Sequence, residues 1–232
     1  LSSSLNHSDG GKFLQEREIN NVLFVTITSN RGLCGGFNAN IIKSITVLIR
    51  NSYKNCESSI LSIGKKSSEY FSKNGYNVVG TYDNLYNEIT FDAVSKIAEN
   101  IMNDFTERKI DKVFLVYNQF KNAATQIIVN ENYLPVDFRE NKTGKIDDYI
   151  FEPSKNKIIK ELIPKSLKNQ LYKAILDSHA AEHGARMTAM HKATDNASEL
   201  KDDLKLYYNK ARQAAITSEI LEIVGGAEAI NN

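Results

Sequence analysis

Residues 165–232 contain no proline, and residues 185–224 contain no glycine, so 68 consecutive positions carry almost nothing that would stop a helix. Within them apolar or small side chains return at Ala193, Ala197, Leu200, Leu204, Tyr207, Ala211 and Ala214, in alternating steps of four and three. That is a heptad seam, the pattern of a left-handed coiled coil. At 1.5 Å per residue such a helix makes a rod of roughly 100 Å. A domain built from the ~130 residues before it has a radius of gyration near ~14 Å and cannot cover the rod. The stripe is therefore expected to need a partner helix of similar length. Residues 1–20, polar and glycine-bearing at Gly10 and Gly11, are expected to be a flexible segment and do not supply one. The chain begins at Leu1, so the partner is expected from a segment outside this sequence or from another protein.

Composition divides the chain in the same place. Twelve of the 17 alanines but three of the 21 aromatics lie in 165–232, and the three prolines, Pro135, Pro153 and Pro164, fall just before it. The expected organisation is a polar segment over 1–20, an α/β domain over 21–151, a connector over 152–164 and a long coiled-coil helix over 165–232. In the α/β part, Val22-Leu23-Phe24-Val25-Thr26-Ile27-Thr28 is a β-branched run that reads as a buried strand. A glycine turn and a helix over 38–52 follow. Further strands are expected near 60–63, 76–82, 112–117 and 124–130, with helices over 65–72 and 92–107. Strands alternating with helices imply a Rossmann-like, mostly parallel sheet covered on both faces.

Charge excludes some functions. With 29 Lys+Arg against 28 Asp+Glu, the chain has no electrostatic footprint for nucleic acid or an anionic membrane. No run approaches 18 apolar residues, so contact with a bilayer is expected only indirectly. Cys34 and Cys56 are too few for a disulfide scaffold or a four-cysteine zinc site, and a reducing compartment is expected. No cofactor is implied.

Three motifs carry possible chemistry. Arg31-Gly32-Leu33-Cys34-Gly35-Gly36 lies between a strand and a helix, where a phosphate could sit on the helix N-terminus. It lacks the Lys-Ser/Thr of a P-loop and the spacing of a dinucleotide fingerprint, so a tight turn is the plainer reading. Cys34, near that helix start, reads as a small buried residue rather than a reactive thiol. His179-Ala180-Ala181-Glu182-His183 is a literal H-x-x-E-H, which would place two imidazoles one turn apart beside a carboxylate, as in a zinc metallopeptidase. A helix lined with alanine offers no cleft or third ligand, and Arg186, four residues on, is a simpler partner for Glu182. Arg212, Gln213 and Thr217 form a group of donors near the C-terminal end, which on its chemistry reads as a solvated face. The small and apolar residues around Gly225-Gly226 would make an exposed tip, suggesting insertion into a partner.

Two blocks carry a resemblance. Ile27-Thr28-Ser29-Asn30-Arg31-Gly32-Leu33-Cys34-Gly35-Gly36-Phe37-Asn38 resembles the signature after the first strand of ATP synthase gamma subunits. His183-Gly184-Ala185-Arg186-Met187-Thr188-Ala189-Met190, Ala193-Thr194-Asp195-Asn196-Ala197 and the run from Tyr208 through Arg212-Gln213-Ala214-Ala215-Ile216-Thr217 to Gly225-Gly226-Ala227 look like that family's C-terminal helix. The resemblance implies a rotary shaft: an antiparallel coiled coil of N- and C-terminal helices with an α/β domain on its lower half. The N-terminal helix would be the partner the seam calls for. The upper end would enter the hexamer of alpha and beta subunits, and the lower end would sit on the epsilon subunit and the c-ring.

By the same resemblance Arg212, Gln213 and Thr217 match the positions that grip a loop of a beta subunit. Ile223, Val224, Ala227 and Ile230 match a tip turning in an apolar bearing, and Tyr149 and Glu152 match contacts at the rotor foot. Asn30 stands where the family commonly has Asp, and His179 and His183 are not residues the family leads one to expect. The implied function is torque transmission between c-ring and catalytic hexamer, coupling proton flow to ATP synthesis, with no active site in this chain. The implied location is peripheral, on the cytoplasmic face of a bacterial inner membrane. The rivals are a zinc metallopeptidase on His179, Glu182 and His183, or a coiled-coil adaptor.

Overall fold

Asn21–Ile27 (β1) is buried at every position except Asn21, the signature of a central strand covered on both faces. Its alternation sorts the two cores. Val22 and Phe24 point to one face, while Leu23, Val25 and Ile27 point to the other. The computed structural model describes residues 13, 14, 17–136 and 155–231, with side chains omitted for 155–160 and 230–231. The elements after β1 are α1 (Phe37–Asn51), β2 (Glu57–Ile63), α2 (Lys65–Lys73), β3 (Asn77–Thr81), a 3-10 turn (Asp83–Asn87), α3 (Phe91–Thr106), β4 (Lys112–Phe120), β5 (Gln126–Leu134) and α4 (Lys155–Asn231). The sheet order is β3-β2-β1-β4-β5, parallel throughout except for β5, which runs antiparallel to β4. The Rossmann-like, mostly parallel sheet with a long C-terminal helix is therefore the observed fold.

The chain divides into two compact units, Leu1–Thr188 and Ala189–Asn232. In the first, α1 and α2 cover one face of the sheet through Ile41, Ile45 and Phe71, which pack with Phe24, Ile60 and Val116. On the other face α3 lays down Val94, Ile97, Ala98, Ile101, Met102 and Phe105, a three-four spacing that makes one apolar stripe. Its start is capped by Thr90, whose hydroxyl accepts the Ala93 N–H at 3.3 Å.

The first part of α4 lies on this same face. Leu167, Leu171, Ala174 and Ile175 join the core of α3 and the sheet. Each of the three large ones contributes roughly 1.5–3 kcal/mol by leaving water. Polar ties flank them. The Tyr133 hydroxyl donates to the Leu167 carbonyl at 3.0 Å, Gln170 donates to Glu131 at 2.8 Å, and Lys168 pairs with Glu99 at 2.5 Å.

One expectation changes here. The helix expected from residue 165 begins at Lys155 and carries Pro164 inside it. Proline removes one backbone hydrogen bond, at about 3 kcal/mol in a helix interior, and the burial of Leu167 and Leu171 one and two turns on offsets that. Over residues 167–185 one face of the helix packs on the sheet and the turn after β1, while Leu176 and Ala180 are exposed.

The turn from β2 into α2 is held by one backbone constraint. Gly64 has φ +101°, and a Cβ placed there would stand 1.9 Å from the Thr28 carbonyl oxygen. Around it Thr26, Thr28, Ser62 and Ser67 form a buried chain of hydroxyls, with Ser67 bonded to Thr26, Thr28 and Ser62. Gly64→Ala is expected to cost well over ~2 kcal/mol, because a clash adds to the backbone strain. Gly75→Ala, at φ +76° with open space around it, should cost about 1–2 kcal/mol. Denaturant unfolding of the two variants checks the difference, and equal losses would show that the Thr28 contact does not constrain the turn.

Candidate functional site

In an open α/β sheet the place for a ligand is the crevice beyond the carboxyl ends of the strands where the strand order reverses. Here that point lies between β1 and β4, and α4 occupies it. The Ser178 hydroxyl donates to the Ile27 carbonyl at 3.5 Å, and Ala181 and Ala185 pack against Cys34 and Phe37 of the turn after β1. Asn118 of β4 donates to the Phe37 carbonyl at 3.0 Å and holds the turn from the other side. Cys34 is buried, as the plainer reading of it requires.

Small side chains make this seating possible. A Cβ on Gly184 would lie 3.2 Å from the Cα of Ala123 and 3.3 Å from the Phe120 ring, in and beside the β4–β5 loop. Thr188 adds a hydroxyl bond to the Ala123 carbonyl at 3.0 Å. At Ala181, Gly184 and Ala185 the turn and the hairpin of the same unit come close to the helix, while Ala180 is exposed.

Asn30 accounts for its own departure from the family's usual Asp. Its side-chain amide donates to the Asp83 carbonyl at 2.8 Å and its oxygen accepts the Lys65 N–H at 3.0 Å. A carboxylate could make only the second bond. The loop after β1 is thereby tied both to the start of α2 and to the 3-10 turn.

The H-x-x-E-H residues sit beside this seat with different partners. Glu182, buried, pairs with Arg186 at 2.8 Å, the four-residue spacing expected. Arg186 also reaches the carbonyls of Arg31 and Gly32 at 3.3 and 3.4 Å, so a single guanidinium joins α4 to the turn. The rings of His179 and His183 are 4.6 Å apart, and Tyr86 of the 3-10 turn meets His179 edge-on at 5.6 Å. Burial, then the neighbouring His183, holds the His179 imidazole below its ordinary pKa, with Glu182 pulling the other way. Burial and then Glu182 hold the Tyr86 phenol above its ordinary value. Among the described residues no group of three or more His, Cys, Asp or Glu is placed to hold a metal ion, and no finding supports the metallopeptidase alternative. Tyr86 has no sequence signal that would have linked it to His179.

Arg186→Met should leave the Glu182 carboxylate buried without its partner and cost about 3 kcal/mol. The double variant Glu182→Gln/Arg186→Met should recover a good part of that loss, because no charge is then stranded. Thermal unfolding of the wild type, both singles and the double checks it. Strict additivity would mean that the pair is not coupled.

The second unit presents a different surface. From His191 to Ala229 every described side chain is exposed. The expected seam is bare, with Leu200 59% and Tyr207 74% exposed. Arg212, Gln213 and Thr217 are all exposed, and the Thr217 hydroxyl turns back to the Gln213 carbonyl at 2.9 Å. At 100° per residue they lie about 100° or more round the helix from the seam, with Gln213 and Thr217 one above the other. A second stripe, which the heptad pattern does not include, runs through Ile216, Ile220, Ile223 and Ala227, about 150° from the seam. Ile223 and Val224 are exposed, Ile230 lies in the helix beyond the described side chains, and Tyr149 and Glu152 lie outside the described residues.

The comparisons with known proteins agree on one family. The family model described as ATP synthase matches residues 1–230. The ATP synthase gamma chain of Christiangramia forsetii is 55% identical over 231 residues, spanning 100% of this chain and 80% of the relative. That of Flavobacterium johnsoniae is 54% identical over 232 residues, with the same coverage. Among solved structures, the mitochondrial ATP synthase of Euglena gracilis (OSCP/F1/c-ring, rotational state 3) has a chain of the same fold, with TM-score 0.70 at 23% identity, covering 98% of this chain and 80% of that one. The central stalk/c-ring structure of Tetrahymena thermophila mitochondrial ATP synthase gives TM-score 0.62 at 24% identity, covering 81% and 82%. With a sequence more than half identical to gamma chains along its whole length, this chain belongs to the ATP synthase gamma-chain family.

Proposed function

We propose that the chain works as the central shaft of a rotary ATP synthase, transmitting torque between the c-ring and the catalytic hexamer and so coupling ion flow to ATP synthesis. The observation that carries this reading is the contrast along α4. Residues 167–188 are tied to the sheet unit by apolar packing and side-chain bonds, while every described side chain from His191 to Ala229 is exposed. A helix with that distribution is held at one part and offered to partners at the other.

Under this reading the alpha and beta subunits surround the exposed part. Arg212, Gln213 and Thr217 grip a loop of a beta subunit from the face away from the seam. Ile223, Val224, Ala227 and Ile230 turn in an apolar bearing. The α/β unit, with Tyr149 and Glu152 at the foot, meets the epsilon subunit and the c-ring. No helix among the described residues is long and apolar enough to cross a membrane, so association with the membrane, on the cytoplasmic face in a bacterium, runs through the complex.

Catalysis belongs to other subunits, and this chain does mechanical work. Its asymmetric surface would stabilise a different conformation in each catalytic site. The size of that bias is set by the difference between the contacts made in each state. At the grip, a guanidinium and a carboxamide supply up to seven N–H donors on adjacent residues, able to follow a charged or carbonyl-rich loop.

Replacing Arg212 and Gln213 together by Ala should lower ATP-driven turnover of the assembled complex by roughly an order of magnitude, the effect of losing about 1.5 kcal/mol of hydrogen bonding to a charged partner. Both positions are exposed, so the unfolding free energy of the isolated chain should stay within about 0.5 kcal/mol of wild type. Turnover equal to wild type in a complex of normal composition would remove these residues from the grip.

A further inference from the structure

The cluster at His179 takes no part in the shaft reading and is unlike anything else in the α/β unit. Its two imidazoles have no third metal-binding neighbour among the described residues, and Glu182 is committed to Arg186. What the cluster does have is a titratable ring at a joint. His179 Nδ1 is buried with no hydrogen-bond partner among the described residues. Its ring lies against Tyr86 of the 3-10 turn on one side and His183 on the other.

We propose that His179 is a proton-sensitive latch between α4 and the Asp83–Asn87 turn, closed while its imidazole is neutral and loosened when it takes up a proton. The groups that face it are Tyr86 from the turn, and His183 and Glu182 from its own helix; Glu182, paired with Arg186, favours the proton less than burial and His183 oppose it. A neutral ring packs against Tyr86 with no charge to desolvate. A charged ring has to be desolvated in the same place and repels His183 when that ring is also charged. Opening restores its hydration.

The turn is a suitable element to move. It carries Asp83, whose carbonyl receives Asn30 from the loop after β1, and the same loop is held at Arg31 and Gly32 by Arg186. Loosening at Tyr86 therefore reaches the loop that seats α4 in its crevice. The sign follows from the direction of the shift. His179 binds its proton more weakly in the closed state than its ordinary value of 6.5. The closed state is then fully favoured above about pH 6.5 and loses ground as pH falls through the closed-state value.

Hydrogen exchange of the assembled complex, corrected for the intrinsic pH dependence of amide exchange, tests this between about pH 8 and about pH 5.5. Peptides over 83–87 should lose protection below about pH 6.5, by up to about tenfold per pH unit within the window, while peptides over the α3 core should not change. His179→Gln, which stays neutral, should abolish the pH-dependent part. His183→Gln removes the neighbouring charge, narrows the window and should shrink the loss, which keeps the test decisive even if the first variant does not assemble. The latch is overturned if the wild type shows no loss at 83–87, if His179→Gln shows the same loss, or if His183→Gln leaves it unchanged.

Discussion

A helix can pass on a twist only where something prevents it from turning about its own axis. In this chain the resistance comes from the contact of α4 with the sheet over 167–188, a length of about 30 Å. Apolar burial alone would resist poorly, since a smooth stripe can roll. The side-chain bonds leave the helix in several directions: Lys168 to α3, Gln170 to β5, Ser178 to the end of β1, Arg186 to the turn and Thr188 to the β4–β5 loop. Rolling the helix either way breaks some of them. The small residues at 181, 184 and 185 let the backbone come close enough for the short bonds to form.

The same contact fills the place where sheets of this architecture take a ligand. The strand order has the switch point of such a sheet, the glycine turn lacks the phosphate-binding spacing, and at the switch point Ala181 and Ala185 pack against Cys34 and Phe37. The sheet serves as a mount, and the crevice that relatives by architecture use for a ligand is used for a helix.

How much of this was legible depended on the range of the interaction involved. The β1 run and the periodic faces of α1 and α3 could be read because one residue spacing sets both structure and burial. The start of α4 could not, because Pro164 is a local stop signal and the burial that overrides it comes from residues distant in sequence. The packing of one face of 167–185 on the sheet was hidden for the same reason, because the strands and turn it meets are distant in sequence. In the crevice, the glycine turn and the pairing of Glu182 with Arg186 were visible in the sequence, but Tyr86 beside His179 is a long-range contact without a pattern. Arg212, Gln213 and Thr217 were singled out by resemblance, since two donors and a hydroxyl on an exposed helix carry no chemistry that identifies a partner.

The exposed part of α4 adds a constraint on whatever surrounds it. Between Ala193 and Ala214 the apolar stripe keeps to one side, and from Ile216 onward a second stripe of the same spacing lies about 150° away. One partner helix can cover the first stripe, because a seam of that width is what a neighbouring helix fills. It cannot cover the second without crossing to the other side. The last turns therefore demand a contact on a different side of the helix from the stretch before them. Arg212 lies close to the side of the second stripe, where the first leaves the helix open. In the shaft reading proposed above, a coiled coil that ends inside an apolar collar would meet both demands with a single change of partner, near Arg212 and Gln213.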